Sequence, residues 1–351
     1  MDQPTHTTTI RPSEQLLLDV LPELPAGRAL TNTAGRAQFA AAYARLHATS
    51  LVTTWFLDLF QCEQTKAQLV DAPGNLQLLC EADFPTTEFD LVALALHKQG
   101  DGELTRDLLQ QAQQRLVLGG RFVAAIDHPD DSWLHDQLHK LYDKVTRRPA
   151  KTGVVYLATK KSELKKVKHY DCELTFRDGE RELQALTRPG VFSHREIDGG
   201  AKALLAIMEI DPGQRVLDLG CGSGAVALAA AARGERVRVH AVDSNPRAVQ
   251  CVQWGAAKNE LPLITSALDC DGRSVKPNSF DLVLANPPYF SNFRLAELFV
   301  QIAKRALVPD GYLILVTKTP KWYENHLPDQ DFYEIYVHAS HGYRVVTAMR
   351  G

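Results

Sequence analysis

The sequence predicts an α/β protein made of two tandem parallel-sheet units, the second closed by an antiparallel hairpin. Three observations carry this expectation: an internal repeat, a strand–helix–strand pattern in each copy, and two strand-like runs, Phe332–His338 and Tyr343–Met349, around Gly342. In the repeat, Phe89-Asp90-Leu91-Val92 aligns with Phe280-Asp281-Leu282-Val283 at an offset of 191 residues. The same offset pairs Leu104 with Leu295, Gln110 with Gln301, Ala112 with Ala303, Leu116-Val117 with Leu307-Val308 and Gly120 with Gly311. Each copy reads as an apolar strand, an amphipathic helix, a glycine turn and a second strand, Arg121–Ile126 or Tyr312–Thr317. That order builds a parallel sheet. The shared tetrapeptide and glycine at one spacing favour duplication over chance.

A weaker match extends the repeat upstream, where Pro212–Asp218 resembles Pro25–Thr31 at an offset of 187. The copies differ where chemistry would sit. Asp218, Gly220 and Gly224 correspond to Thr31, Thr33 and Ala37, and Asn286-Pro287-Pro288-Tyr289 to Ala95-Leu96-His97-Lys98. The N-terminal half therefore reads as a folded, degenerate duplicate that holds no ligand. The expected organisation is a degenerate domain over 1–158, a basic connector over 159–187 and a catalytic domain over 188–351.

Composition narrows the functional classes. The chain has 351 residues, 39 Lys+Arg against 42 Asp+Glu, and a formal charge of −3, so contact with nucleic acid requires a local patch. One candidate exists: Arg147, Arg148, Lys151, Lys160, Lys161, Lys165, Lys166 and Lys168 face only Glu163 within 147–168. Such a run is either a solvated face or a phosphate contact. No apolar stretch of about 18 residues is present to span a membrane. The start of the sequence lacks the basic-then-apolar pattern of a secretory signal. The six cysteines include no Cys-x-x-Cys pair, which argues against zinc and disulfides and for a reducing cytoplasm.

The apolar run Gln214–Leu219 ends in Asp218 and leads into Gly220-Cys221-Gly222-Ser223-Gly224, followed by an Ala-rich helical stretch. Strand, glycine turn and helix in that order place a ligand at the carboxyl edge of the sheet, with the glycines allowing close backbone approach. A second strand, Val237–Val242, leads to Asp243, where a carboxylate can take both hydroxyls of a ribose. The pattern Gly220-x-Gly222-x-x-Ala225 also satisfies a dinucleotide fingerprint. Against that reading, Asp218 beneath the loop would repel a pyrophosphate but could hold an ammonium group, and a C-terminal hairpin fits an all-parallel dinucleotide sheet poorly.

The strand Phe280–Ala285 runs into Asn286-Pro287-Pro288-Tyr289, where two prolines force a stiff, extended turn. A planar amine conjugated to a base or carbonyl is a poor nucleophile because its lone pair is delocalised. The Asn286 side-chain oxygen and a backbone carbonyl near Pro287 can accept its two N–H bonds and localise that pair. Tyr289 offers a stacking face. The rate would then come from alignment and electrostatics, without a strong general base.

Asp-Leu-Gly-Cys-Gly-Ser-Gly at 218–224 resembles the S-adenosylmethionine loop of class I methyltransferases, whose Rossmann-like sheet ends in such a hairpin. The resemblance implies that Asp218, Gly220, Gly222 and Gly224 hold the methionine part of the donor, Asp243 its ribose and Asp269 its adenine amine; a turn-building Asp is the other reading of Asp269. Asn286–Tyr289 resembles the motif of amine methyltransferases acting on adenine N6, guanine N2 or glutamine nitrogen. With Arg188-Pro189-Gly190-Val191-Phe192-Ser193, Asp198-Gly199-Gly200 and the degenerate first half, nearly the whole chain resembles the bacterial ribosomal RNA guanine-N2 methyltransferases of the RsmC/RlmG type. That implies that Phe192 and Asp198 help close the donor pocket and that ribosomal RNA or a ribosomal subunit is the partner, with no metal and no membrane. Lys160, Lys161, Lys165, Lys166 and Lys168 would be RNA contacts. Tyr289 departs from the Phe more usual in small-subunit enzymes, and leaves the choice of subunit open. Two other readings stand: a protein glutamine-N5 methyltransferase, and a non-enzymatic RNA-binding or ribosome-assembly factor on the same scaffold.

Overall fold

A computed structural model describes residues 10–288 and 293–351. The chain divides into two compact units between Tyr170 and Asp171. The first contains α1 (Pro12–Val20), β1 (Ala29–Thr31), α2 (Gln38–Leu46), β2 (Val52–Phe56), α3 (Leu59–Gln68) and β3 (Leu76–Cys80). It continues through β4 (Phe89–Leu96), α4 (Gly102–Arg115), β5 (Leu116–Ile126), α5 (Trp133–Leu138), β6 (Val145–Ala150) and β7 (Gly153–Thr159). The second opens with the two-stranded sheet β8 (Cys172–Asp178) and β9 (Arg181–Thr187), followed by α6 (Gly199–Ile207), β10 (Arg215–Leu219), α7 (Ala225–Arg233), β11 (Arg238–Asp243), α8 (Pro246–Lys258) and β12 (Ile264–Leu268). It ends with β13 (Phe280–Ala285), α9 (Arg294–Ala306), β14 (Leu307–Thr317), α10 (Pro320–His326), β15 (Phe332–Ser340) and β16 (Tyr343–Arg350).

The two large sheets have the same topology. Their orders are β3-β2-β1-β4-β5-β7-β6 and β12-β11-β10-β13-β14-β16-β15, five parallel strands followed by an antiparallel hairpin. Central strands covered on both faces need apolar residues at successive positions. In β13, Leu282 and Leu284 enter one core layer while Val283 and Ala285 enter the other. The helices α6 and α7 contribute to the first of those layers and α9 to the second.

The duplicated residues prove to be framework. Arg28 N–H donates to Asp90 Oδ2 and Arg215 N–H to Asp281 Oδ2, each at 2.8 Å, so the repeated Asp ties the start of one strand to its neighbour. The pairing of β4 with β5 shifts register between Phe89 and Leu91, and that of β13 with β14 between Phe280 and Leu282. The expected glycine turns before Arg121 and Tyr312 are bulged parts of single strands, β5 and β14. A Cβ at Gly120 or Gly311 would lie 2.9 Å from the carbonyl oxygen of Val117 or Val308, which explains why both positions are glycine.

Two features differ from the sequence reading. The first unit has its own hairpin, β6–β7, whose edge strand carries exposed Arg147, Arg148 and Pro149. Those residues obscure a strand pattern while suiting an edge. Part of the segment 159–187, expected as a connector, is built into the second unit: Phe176, Leu183 and Ala185 of β8–β9 lie in its core.

The degenerate copy closes its own loop. Ala37 caps α2 with φ +56°, the counterpart of Gly224 capping α7 with φ +82°. The Glu14 carboxylate from α1 accepts hydrogen bonds from Thr33 Oγ1 and the backbone N–H groups of Ala34 and Phe39. Burial raises its pKa despite these bonds. Side chains of the chain itself thus take the loop N–H groups that a ligand would otherwise meet.

Candidate active site

The loop after β10 is shaped by backbone bonds to β11. The N–H groups of Gly220 and Cys221 donate to the Val242 carbonyl at 2.9 and 3.1 Å, and Gly224 N–H donates to the Cys221 carbonyl at 2.8 Å. Gly220, Gly222 and Gly224 all have positive φ. The Asp243 carboxylate is held from both sides, Oδ2 accepting from Gly222 N–H and Oδ1 from Asn245 N–H, each at 2.9 Å. This arrangement fixes the Asp243 carboxylate beside the glycine loop at the end of β11.

Asp218 lies below the loop, fully buried, and its Oδ2 has no hydrogen-bond partner among the described residues. Desolvation chiefly, with the nearby Asp243 charge, raises its pKa to about 7. An orphaned buried carboxylate oxygen is costly by itself and suits a cationic ligand group. The loop thiol Cys221 is also buried, and desolvation together with Asp243 and Asp218 holds it protonated, well above the ordinary thiol range.

Asn286 leaves the end of β13 and is brought against the start of α6. Its Nδ2 donates to Asp198 Oδ2 at 2.7 Å, the same oxygen that caps α6 by accepting from the N–H groups of Gly200 and Ala201. This bond fixes which way the amide faces. Gly200 is required by the packing: a Cβ there would lie 2.6 Å from Asn286 Oδ1. Pro287 is buried and Pro288 half-buried; Tyr289 lies outside the described residues.

The segment 188–193 is tied to the same edge. Asn245 Nδ2 donates to the Gly190 carbonyl and the buried Arg247 Nη1 to the Pro189 carbonyl, both at 2.8 Å. Val191 packs against Ala248 and Cys251 of α8, while Phe192 is 64% exposed. Neither Asn245 nor Arg247 was among the expected site residues. The Asn-Pro start of a helix was a legible signal for the first, and nothing in the sequence marks the second.

Two expectations are corrected. Of the two readings of Asp269, the adenine contact gives way to the turn: Oδ1 accepts from the N–H groups of Asp271 and Gly272, and Oδ2 from Ser274 N–H and Oγ. Its acceptor sites are filled by its own turn. Lys160, expected to contact RNA, has a side chain only 1% exposed. Its Nζ donates to the Leu116 carbonyl and pairs with Glu163, each at 2.8 Å, so it fastens the first unit internally. Lys161, Lys165, Lys166 and Lys168 are exposed. The last three line a groove of about 720 Å³ with Arg106, Lys140 and Tyr170. Among the described residues no cluster of three or more metal-ligating side chains occurs, and no helix is long and apolar enough to cross a membrane.

The second unit's fold and glycine loop are those of a class I methyltransferase, and residues 182–347 match the methyltransferase small domain family. A ribosomal RNA small subunit methyltransferase C from Pseudomonas aeruginosa is 30% identical over 251 residues, covering 69% of this chain and 70% of that protein. Its counterpart in Pseudomonas paraeruginosa is 29% identical over 282 residues, 75% of each chain. In overall fold the chain matches the T. thermophilus RsmC, a 16S ribosomal RNA N2 guanine methyltransferase solved with AdoMet and guanosine. The TM-score is 0.79 at 22% identity, over 99% of this chain and 94% of that one. The chain belongs to the ribosomal RNA small subunit methyltransferase C family.

Proposed function

We propose that this protein transfers the methyl group of S-adenosylmethionine to the exocyclic N2 of a guanine in ribosomal RNA of the small subunit. The Asp198–Asn286 hydrogen bond carries the reading. With Nδ2 committed to Asp198, Asn286 meets an amine through Oδ1, an acceptor, as localising a guanine N2 lone pair requires. Family membership supports the substrate class. The donor, when bound, supplies an electrophilic methyl on a sulfonium.

The chain's residues do the rest. Asp218 receives the donor's ammonium group, the loop at Gly220, Gly222 and Gly224 its methionine backbone, and Asp243 its ribose. Phe192, held beside Val191, closes over it. Asn286 and the backbone beyond it orient the target amine, with Pro287 and Pro288 keeping that turn stiff and Tyr289 stacking on the base. The guanine must be unpaired or flipped out to reach this edge. Exposed Lys161, Lys165, Lys166 and Lys168 contact RNA phosphates from the first unit. The setting is the cytoplasm, where ribosomal subunits are made.

The test is transfer of labelled methyl to total RNA, isolated ribosomal subunits and release-factor protein, followed by nucleoside and amino-acid analysis. Label in N2-methylguanosine from the small subunit is expected. Label in glutamine, or in another nucleoside, overturns the reading.

A further inference from the structure

Three rings stack at the carboxyl edge of the second sheet, outside the donor loop and the Asn286 turn. Phe293, immediately before α9, lies parallel to Trp322 of α10, with centroids 4.8 Å apart and planes at 9°. Trp322 in turn stacks on His326, at 4.5 Å and 21°. The two helices follow β13 and β14, adjacent parallel strands whose register pairs Ala285 with Leu315. Asn286 extends the first strand, so the rings stand on the substrate side of the sheet.

Phe293 is the exposed and strained member of the stack, while Trp322 packs against the core of the second unit. Phe293 is 41% exposed, the most open of the three rings. It also adopts φ +65°, a conformation bulky residues rarely take, which is a frequent mark of functional segments. The charges beside it are cationic. Arg294 follows Phe293 and Lys321 precedes Trp322, both exposed, while the acids Glu297 and Glu324 sit one turn further along each helix.

We propose that Phe293, backed by Trp322, is a stacking platform for a base flanking the methylated guanine, with Arg294 and Lys321 taking the adjoining phosphates. An aromatic face with flanking cations matches single-stranded RNA, whose bases offer π-faces at every step and whose backbone is anionic. A flipped-out target needs its neighbours held. The proposal rests on the RNA-methylation reading and adds a second nucleotide subsite to it.

The experiment compares wild type with Phe293→Leu, Phe293→Trp and the double variant Arg294→Gln/Lys321→Gln. Binding of a guanine-containing single-stranded oligoribonucleotide is followed by fluorescence polarisation, and methyl transfer is measured on ribosomal RNA and on free guanosine. Loss of one stacked base lowers affinity on the order of 10-fold. Phe293→Leu is expected to weaken oligonucleotide binding by that factor and to lower kcat/KM for RNA relative to that for guanosine. Phe293→Trp should restore both, and the double variant should flatten the salt dependence of binding. Equal losses on RNA and guanosine, or oligonucleotide binding unchanged by Phe293→Leu, overturn the platform. If wild type methylates neither substrate, the methylation reading fails, while the polarisation series still decides whether Phe293 binds a base.

Discussion

Asn286 Nδ2 and Asp198 Oδ2, separated by 88 positions in sequence, lie 2.7 Å apart, and the same oxygen caps α6. One carboxylate oxygen therefore both starts a helix and sets the orientation of the amide. The two tasks can be separated. Asp198→Ser keeps a capping oxygen but is too short to reach Asn286. It should leave thermal stability within about 1 kcal/mol of wild type and still reduce methyl transfer by about 10-fold or more. Asn286→Ala should lower kcat by roughly 10²–10³-fold, the usual cost of one preorganised polar contact at a transition state, with the donor dissociation constant by calorimetry nearly unchanged. Full activity in Asn286→Ala contradicts the mechanism.

On the proposed reading, Asp218 links donor affinity to pH. Its pKa is raised from 3.8 to about 7 by burial and by Asp243, while an ammonium group placed there requires the ionised form. Donor affinity should rise with pH through about 7 and level off above it. The stability effect has the opposite sense. Between pH 4 and 7 the folded state holds this proton more tightly than the unfolded state, so stability falls as pH rises, by on the order of 4 kcal/mol in full. Asp218→Asn should therefore melt higher than wild type at pH 8 in the absence of donor and bind donor poorly. A lower melting temperature at that pH would show that Asp218 is already paired.

The lysines of the first unit divide by exposure. Substituting Lys161, Lys165, Lys166 and Lys168 with Ala should weaken RNA binding and reduce the salt slope by about 0.7 per lysine that touches a single-strand phosphate. Lys160→Met should leave the slope unchanged and instead lower the stability of the first unit, since it leaves the Leu116 carbonyl without its buried donor. A slope unaltered in the fourfold variant assigns that cluster to a solvated face.

What the sequence made legible follows from range. Residues acting through neighbours in the chain, such as the glycine loop, the Asp at the end of β11 and the rigid Asn-Pro-Pro turn, announced themselves by spacing. The repeat likewise exposed the framework Asp90 and Asp281, although their bonds to the strand starts at Arg28 and Arg215 emerged only in three dimensions. Residues acting across the fold were silent. Nothing adjacent to Lys160 indicates that it ends on the Leu116 carbonyl, 44 positions away. Asp269 is a local case: its partners lie two to five residues on, and the turn-building reading of it was open from the sequence. The first unit's hairpin escaped because an edge strand rich in Arg and Pro has the composition of a loop.

Asn245 joins the end of β11 beside the glycine loop to the segment 188–193. Its N–H holds Asp243, its side-chain oxygen accepts from Arg247 N–H at the start of α8, and its Nδ2 holds the Gly190 carbonyl. Asn245→Asp preserves the helix cap and its acceptor but replaces the donor facing Gly190 with a charged oxygen. Stability should change by about 1 kcal/mol or less, because the cap is retained. The segment 189–193 would lose the Asn245 anchor and keep the one from Arg247. The donor should then dissociate faster, by roughly 10-fold for one lost hydrogen bond at a covered site, with its association rate little altered. Stopped-flow measurement separates the two rates. An unchanged dissociation rate would mean that Arg247 and the packing of Val191 hold the segment in place without Asn245.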